Sequence, residues 1–215
     1  MSASRYLLSS IFYLPSSWKN RPAAMIRLIL ASQSTDRLNL LRNAGYDVEA
    51  IPANVTEPDP AHFADLDAGL VHIAALKARA VARRGVQGLI LGADTVGFAG
   101  GRVLGKPVDR ADALRMLQMI SGTIHEVLTG WCLIRARDQL QIAGVERTTI
   151  TMRTWTPDEF ETYLDNGAWI AKSGAYGLSL PHDPFVTRIA GSSSNVIGVP
   201  LERLAQVIAE FRLGQ

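Results

Sequence analysis

Two apolar runs stand out along the chain: Leu28–Ala31 within LILASQSTDR and Leu89–Ala93 within LILGADTV, each ending in small polar residues. Uninterrupted apolar runs of this length predict strands buried on both faces. Arg27–Ala31 is the first predicted strand. Ser34 or Thr35 can cap a helix that runs to Ala44, with Gly45 at its C′ position. Asp47–Ile51 reads as a second strand, and Pro52–Pro60 as a polar loop that contains Glu57. Leu66, Leu70, Ile73, Ala74 and Lys77 recur at helical spacing and predict a helix over Ala61–Arg84, ended by Gly85.

Leu89–Ala93 is the next strand, with Asp94 just past its end. Val96–Leu104 reads as a hairpin turning at Gly100–Gly101. Asp109 caps a helix to Ile120, stopped by Gly122. His125–Arg137 and Gln139–Thr154 are two long strands with a tight turn near Asp138. Thr156-Pro157-Asp158-Glu159 starts a helix with Pro at N1 and acids in the first turn; it ends at Gly167. A Gly-rich segment, KSGAYGLSL, follows, and Pro200–Arg212 is the last helix. No internal repeat or linker interrupts residues 25–215, so they form one α/β domain, expected to be bilobed.

Composition narrows the function classes. At 215 residues with 47% hydrophobic content, the chain can build one good core or two small lobes around a cleft. A net charge of +2 gives no case for bulk binding to nucleic acid. No apolar run reaches the ~18–20 residues that span a bilayer. Cys132 is the single cysteine, so no intrachain disulfide forms. It lies in an apolar run, VLTGWCLI, as a buried thiol, which fits a reducing cytoplasm. Residues 1–24 are Ser-rich, basic and free of acid. That pattern resembles a targeting segment, but Met25 directly precedes the first strand, so residues 1–24 are expected to be an upstream extension.

The candidate chemistry sits where strands end. A small-residue loop entering a helix binds phosphate through free backbone N–H groups. Ser32, Ser34 and Arg37 supply such a loop, with Arg able to fork onto phosphate oxygens. The same residues also fit an ordinary cap with Arg37 on a solvated face. Asp94 is either a turn or capping aspartate, or a general base or metal ligand. Lys77, among alanines, and Lys106, in the stiff LGKP turn, are candidate cations for a polyphosphate; each alone also reads as a solvated lysine. Glu57, in NVTEPDP, is a possible second carboxylate for Mg²⁺ or a plain loop charge. His125 has no second His or Cys at zinc spacing, which excludes a zinc site there. GSSSN (Gly191–Asn195) either serves substrate or caps the last helix.

In this order the segments LILASQSxxR, GADTV with a downstream LGKP, SGxxHEVxTG, KSGAYG and GSSSNVIGVP resemble the Maf family of nucleoside triphosphate pyrophosphatases, from about Arg27 to the C-terminus. The resemblance implies a mixed, elongated α/β sheet flanked by helices, with two lobes around a cleft, similar to the inosine triphosphate pyrophosphatases. It implies hydrolysis of a nucleoside triphosphate to the monophosphate and pyrophosphate, with Mg²⁺ or Mn²⁺, in a house-cleaning role linked to septum formation. It casts Asp94 as proton acceptor and metal ligand, Glu57 as metal-side carboxylate, Ser32, Ser34 and Arg37 as the phosphate loop, and Lys77 and Lys106 as polyphosphate-binding lysines. The implied partner is the nucleotide; a homodimer is left open. The alternative is a nucleotide-binding regulator of cell division without significant turnover. Three positions depart from the family patterns and bear on base choice. Asp36 stands where an arginine is common, Thr95 where the 7-methyl-GTP branch has Gln, and Ser179 where the dTTP/UTP branch has Gln. An ionised Asp36 would accept from guanine or cytosine N–H groups and repel a uracil or thymine carbonyl. The expectation is therefore a weaker dTTP/UTP preference.

Overall fold

The computed structural model describes residues 27–213, so the expected extension at residues 1–24 lies outside the described residues. One seven-stranded mixed sheet runs through the molecule in the order β2-β1-β3-β5-β6-β7, with β4 paired to β3. β1 (Arg27–Leu30) pairs in parallel with β2 (Asp47–Ala50) and with β3 (Leu89–Ala99). The remaining pairs are antiparallel: β3 with β4 (Arg102–Leu104) and with β5 (Ile124–Arg135), β5 with β6 (Leu140–Met152), and β6 with β7 (Val186–Ala190).

The buried apolar runs do what their pattern demands. Leu28, Leu30, Leu89 and Leu91 pack on one face with α1 (Thr35–Asn43) and α6 (Leu201–Leu213), whereas Ile29 and Ile90 pack on the other face with α2 (Leu66–Ala82). A separate core holds the second lobe. There α3 (Arg110–Ile120), α4 (Pro157–Asp165) and the Ser173–Ala175 turn gather around Trp155 and Tyr163. A cleft of about 680 Å³ lies between the lobes.

Several boundaries differ from expectation. The helix predicted over Ala61–Arg84 begins at Leu66, because Asp65 caps it through Asp67 N and Ala68 N. Asp59 caps a separate 3₁₀ turn at Pro60–His62. The strand predicted to stop at Ala93 continues to Ala99, so Asp94 sits within β3 rather than past its end. Its continuation is held by β5, with Asp94 opposite Gly130, after β1 has stopped at Leu30. β7 and the short α5 (Ser193–Ile197) lie in stretches that carry no hydrophobic periodicity of their own.

Two glycines let α2 lie directly on the sheet. A Cβ on Gly92 would come 2.1 Å from Ala74 O, and one on Gly130 would come 2.4 Å from the Leu70 carbonyl carbon. Helix backbone therefore touches strand backbone, and this close approach carries Lys77 to the strand edge. Overpacking such a contact costs about 1–3 kcal/mol. Gly92→Ala should lose that much in urea unfolding. Gly105→Ala, where an added Cβ meets nothing within 4 Å, should stay within about 0.5 kcal/mol of the parent. Equal midpoints for the two variants would refute the contact.

Candidate active site

The site forms along one bare stretch of strand edge. β3 is paired to β1 through Leu91 and to β4 from Gly97, on the same edge, so Gly92–Val96 between them has no strand neighbour there. Backbone acceptors on an edge need partners. Leu91 O accepts from Ala31 N at 2.8 Å, Ala93 O from Lys77 Nζ at 3.4 Å, and Thr95 O from Ser173 Oγ at 2.6 Å. Three segments distant in sequence thus converge on the edge that presents Asp94.

Lys77 is the centre of charge. Its side chain is only 8% exposed, and its Nζ lies 2.8 Å from Asp94 Oδ1 and 2.7 Å from Glu57 Oε2. A buried ammonium needs such partners. Lys77 therefore does not stand free as a polyphosphate ligand; it holds the two carboxylates together. It occupies one oxygen of each, leaving Asp94 Oδ2 and Glu57 Oε1 without hydrogen-bond partners among the described residues.

Beside this trio lies the predicted phosphate loop. Ser34 caps α1, its Oγ accepting from Arg37 N at 3.3 Å, and Ser34 N donates to Ser32 Oγ at 3.1 Å. Arg37 donates from Nε to Gly198 O at 3.0 Å, from Nη1 to Ser32 Oγ at 3.3 Å, and from Nη2 to Thr95 Oγ1 at 2.8 Å. Five N–H groups are available on a guanidinium, so part of its donor capacity stays unused. Burial lowers the Arg37 pKa, and the charges of Asp94, Glu57 and Asp36 oppose that shift.

The GSSSNVIGVP segment serves as support for this arginine. Thr95 and Thr129 hydroxyls lie 2.9 Å apart, Thr129 Oγ1 donates to Asn195 O, and Asn195 Nδ2 donates to Val127 O and Thr148 Oγ1. Gly198 has φ +118°, and a Cβ there would come 2.8 Å from Arg37 Nε. Ser194 Oγ accepts from Leu201 N at 2.9 Å, so the segment caps the last helix, one of the two roles read for it.

The second lobe closes the other side of the cleft. Lys106 is exposed on its rim and has no ion-pair partner among the described residues. Asp36 is not the free acceptor expected from the sequence, because Lys172 pairs with its carboxylate across the cleft. Ser179 is exposed; its N–H donates to Asp183 Oδ2 at 2.9 Å, and Asp183 also accepts from Tyr176, Phe185 and Val186. Lys172, Ser173, Thr129, Asn195 and Gly198 were not singled out individually in the sequence. Their KSGAYG and GSSSN segments were the available signal.

His125 also lines the cleft, 6% exposed, with no hydrogen bond to Nδ1. Burial lowers its pKa to about 4. The unfolded chain, titrating near 6.5, binds the extra proton between those values, so stability is full above about pH 6.5 and is lost as pH falls toward 4. Melting temperature should fall over this window, and fall less steeply in His125→Leu. The Glu159 carboxylate, held down to about 2 by Arg153, acts at lower pH. Parallel pH profiles for parent and variant would exclude His125 as the source.

The family model for Maf-like protein matches residues 27–211. A dTTP/UTP pyrophosphatase of Bdellovibrio bacteriovorus is 36% identical over 189 residues, covering 86% of this chain and 98% of that protein. One from Symbiobacterium thermophilum is 40% identical over 191 residues, covering 87% and 95%. A solved nucleoside-triphosphatase / dITP/XTP pyrophosphatase from Mycobacterium abscessus overlays with a TM-score of 0.38 at 16% identity, covering 66% of this chain and 95% of that one. With a family match over nearly all described residues and relatives aligned almost end to end, the chain belongs to the Maf-like protein family.

Proposed function

We propose that this chain hydrolyses nucleoside triphosphates of the dTTP/UTP type to the monophosphate and pyrophosphate, a house-cleaning activity. The observation that carries the reading is the convergence of Asp94, Glu57 and Lys77 with the Ser32–Arg37 loop on the bare edge of β3. The relatives that bear the dTTP/UTP name support the substrate class. So does the engagement of Asp36 by Lys172, which removes the repulsion expected against a uracil or thymine carbonyl.

Asp94 accepts the proton of the attacking water. The water oxygen bonds to the α-phosphorus, the bond to the bridging anhydride oxygen breaks, and pyrophosphate leaves with that oxygen. Negative charge gathers on phosphoryl oxygens as this happens. Ser32, the unused N–H groups of Arg37, and Lys106 are placed to receive it. Lys77 is a positioning residue: it orients both carboxylates and offsets their repulsion.

The free oxygens Asp94 Oδ2 and Glu57 Oε1 suit a hard divalent cation. No cluster of three or more His, Cys, Asp or Glu groups arranged for a metal occurs among the described residues. Mg²⁺ characteristically takes one or two carboxylates and completes its shell with phosphates and waters, so the donor set fits. Bound there, Mg²⁺ or Mn²⁺ would neutralise phosphate charge and lower the pKa of a coordinated water. No helix among the described residues is long and apolar enough to cross a membrane.

Pyrophosphate release, measured across an NTP panel with Mg²⁺ or Mn²⁺, tests the reading. UTP and dTTP should be the best substrates, and chelation should stop turnover. Asp94→Asn should lose about 10²–10⁴-fold in kcat with its melting temperature retained. A variant keeping half of the parent kcat would remove Asp94 from the base role. Tight nucleotide binding by the parent without pyrophosphate release would favour the regulator instead. Lys106→Ala should lose more on triphosphates than on diphosphates; equal losses would place Lys106 away from the terminal phosphates.

A further inference from the structure

The cleft has two ends of different chemistry. Ser32, Arg37, Asp94, Lys77 and Lys106 make one end charged. Farther along β5, where Ile150 lies opposite His125, the cleft is also lined by Ile120, Val127, Leu180 and Val186. Along the floor between them, Thr95 lies opposite Thr129, and Gly97 opposite Val127. Thr129, Val127 and His125 share a face of β5 by their two-residue period. Gly97 adds no side chain to this floor, and Leu104 and Gly174 lie over it, where a Cβ would meet them at 3.4 and 3.7 Å. On that face His125 lies four residues along β5 from Thr129, whose hydroxyl is 2.9 Å from that of Thr95, or roughly 14 Å of strand. An extended nucleotide is of that order of length.

The ring's own pairing fixes which atom can act. Nδ1 is sealed from solvent and has no hydrogen-bond partner. Nε2 is neither sealed nor hydrogen-bonded among the described residues, which leaves it as the polar atom on the cleft. A neutral imidazole carries one N–H and one lone pair. A sealed N–H without an acceptor is the costlier arrangement, so the proton belongs on Nε2. Burial, by holding the pKa near 4, keeps the ring neutral at physiological pH.

We propose that His125 is a specificity-determining residue whose Nε2–H donates to the exocyclic oxygen on the far edge of the nucleobase, position 4 of a pyrimidine, and so selects uracil and thymine over cytosine. The far edge is the one concerned because the sugar and phosphates extend toward Asp94, which turns the 2-oxo group back toward the ribose. An amino group at position 4 would set donor against donor in an apolar pocket. A site built to donate rejects such a mismatch far more strongly than a purely apolar one does. The inference rests on the nucleotide reading of the cleft and deepens it by naming what reads the base.

The test compares the parent, His125→Leu and His125→Gln. Gln is chosen because it can place an N–H donor near the position of Nε2. Two readouts are needed: kcat and KM for UTP, dTTP, CTP and ATP with Mg²⁺, and calorimetric binding of dUMP against dCMP, which needs no turnover. In His125→Leu the UTP-to-CTP ratio of kcat/KM should fall about tenfold or more, chiefly through a higher KM for UTP. The dUMP preference in binding should collapse with it, and Gln should restore part of both. Uniform losses on every nucleotide, or an unchanged ratio in a folded Leu variant, would overturn the proposal. A dUMP preference that is present in a parent releasing no pyrophosphate and lost in His125→Leu would keep this inference while removing the hydrolase reading.

Discussion

Everything at the site follows from five residues of β3, Gly92–Val96, that lack a strand neighbour on one edge. An edge of this kind is ordinarily a liability, since its acceptors invite another chain. Here β1 ends at Leu30 and β4 starts only opposite Gly97, so the gap is flanked by sheet on both sides. At its margin Leu91 O accepts from a loop N–H, and within it Ala93 O and Thr95 O accept from a lysine and a serine hydroxyl. The groups that satisfy the edge are the groups that build the site. Strand completion and active-site assembly are one requirement.

The same constraint explains why Lys77 can be buried. An ammonium deep in a fold costs several kcal/mol in lost hydration unless its charge is answered. α2 reaches the sheet so closely, over Gly92 and Gly130, that Lys77 arrives against Asp94 and the Ala93 carbonyl with little freedom left. Glu57, from an extended loop and about half exposed, completes the trio. Asp94 is thereby paired with a side chain of a helix packed on the sheet, whereas Glu57 reaches the same ammonium from a loop.

Much of this was legible in the chain. The apolar runs of β1 and β3, the cap at Ser34 or Thr35, the Gly100–Gly101 turn and the helix start at Thr156-Pro157 each carry a local signal, and the structure has an element at each. The end of β3 was misplaced because a strand's continuation past Ala93 depends on β5, not on its own hydrophobicity. The helix start at Leu66 was misplaced because Asp59 and Asp65 both cap, splitting one polar run into two elements. At the site, the residue types were legible but their pairings were not. Nothing local says that Lys77 meets Glu57, that Lys172 crosses to Asp36, or that Gly198 must lack a side chain to admit Arg37. Those are consequences of contacts more than a hundred residues apart, or of helices laid on a sheet.

The division of the cleft has a further consequence for how such a fold can vary. Apart from Lys106, which comes from the second lobe's side, its charged end is built from backbone edges, a helix cap and a buried lysine, each shared with the core of the first lobe. Its apolar end is built from side chains on β5, β6 and the 176–186 segment, the last of which packs in the core of the second lobe. Changing the first disturbs strand pairing and helix packing, so it is tightly constrained. Changing the second exchanges one side chain for another on an intact sheet. Phosphate chemistry and base choice are thus separable in this architecture. The Asp36–Lys172 pair, crossing from α1 to the second lobe, ties the two ends to one geometry.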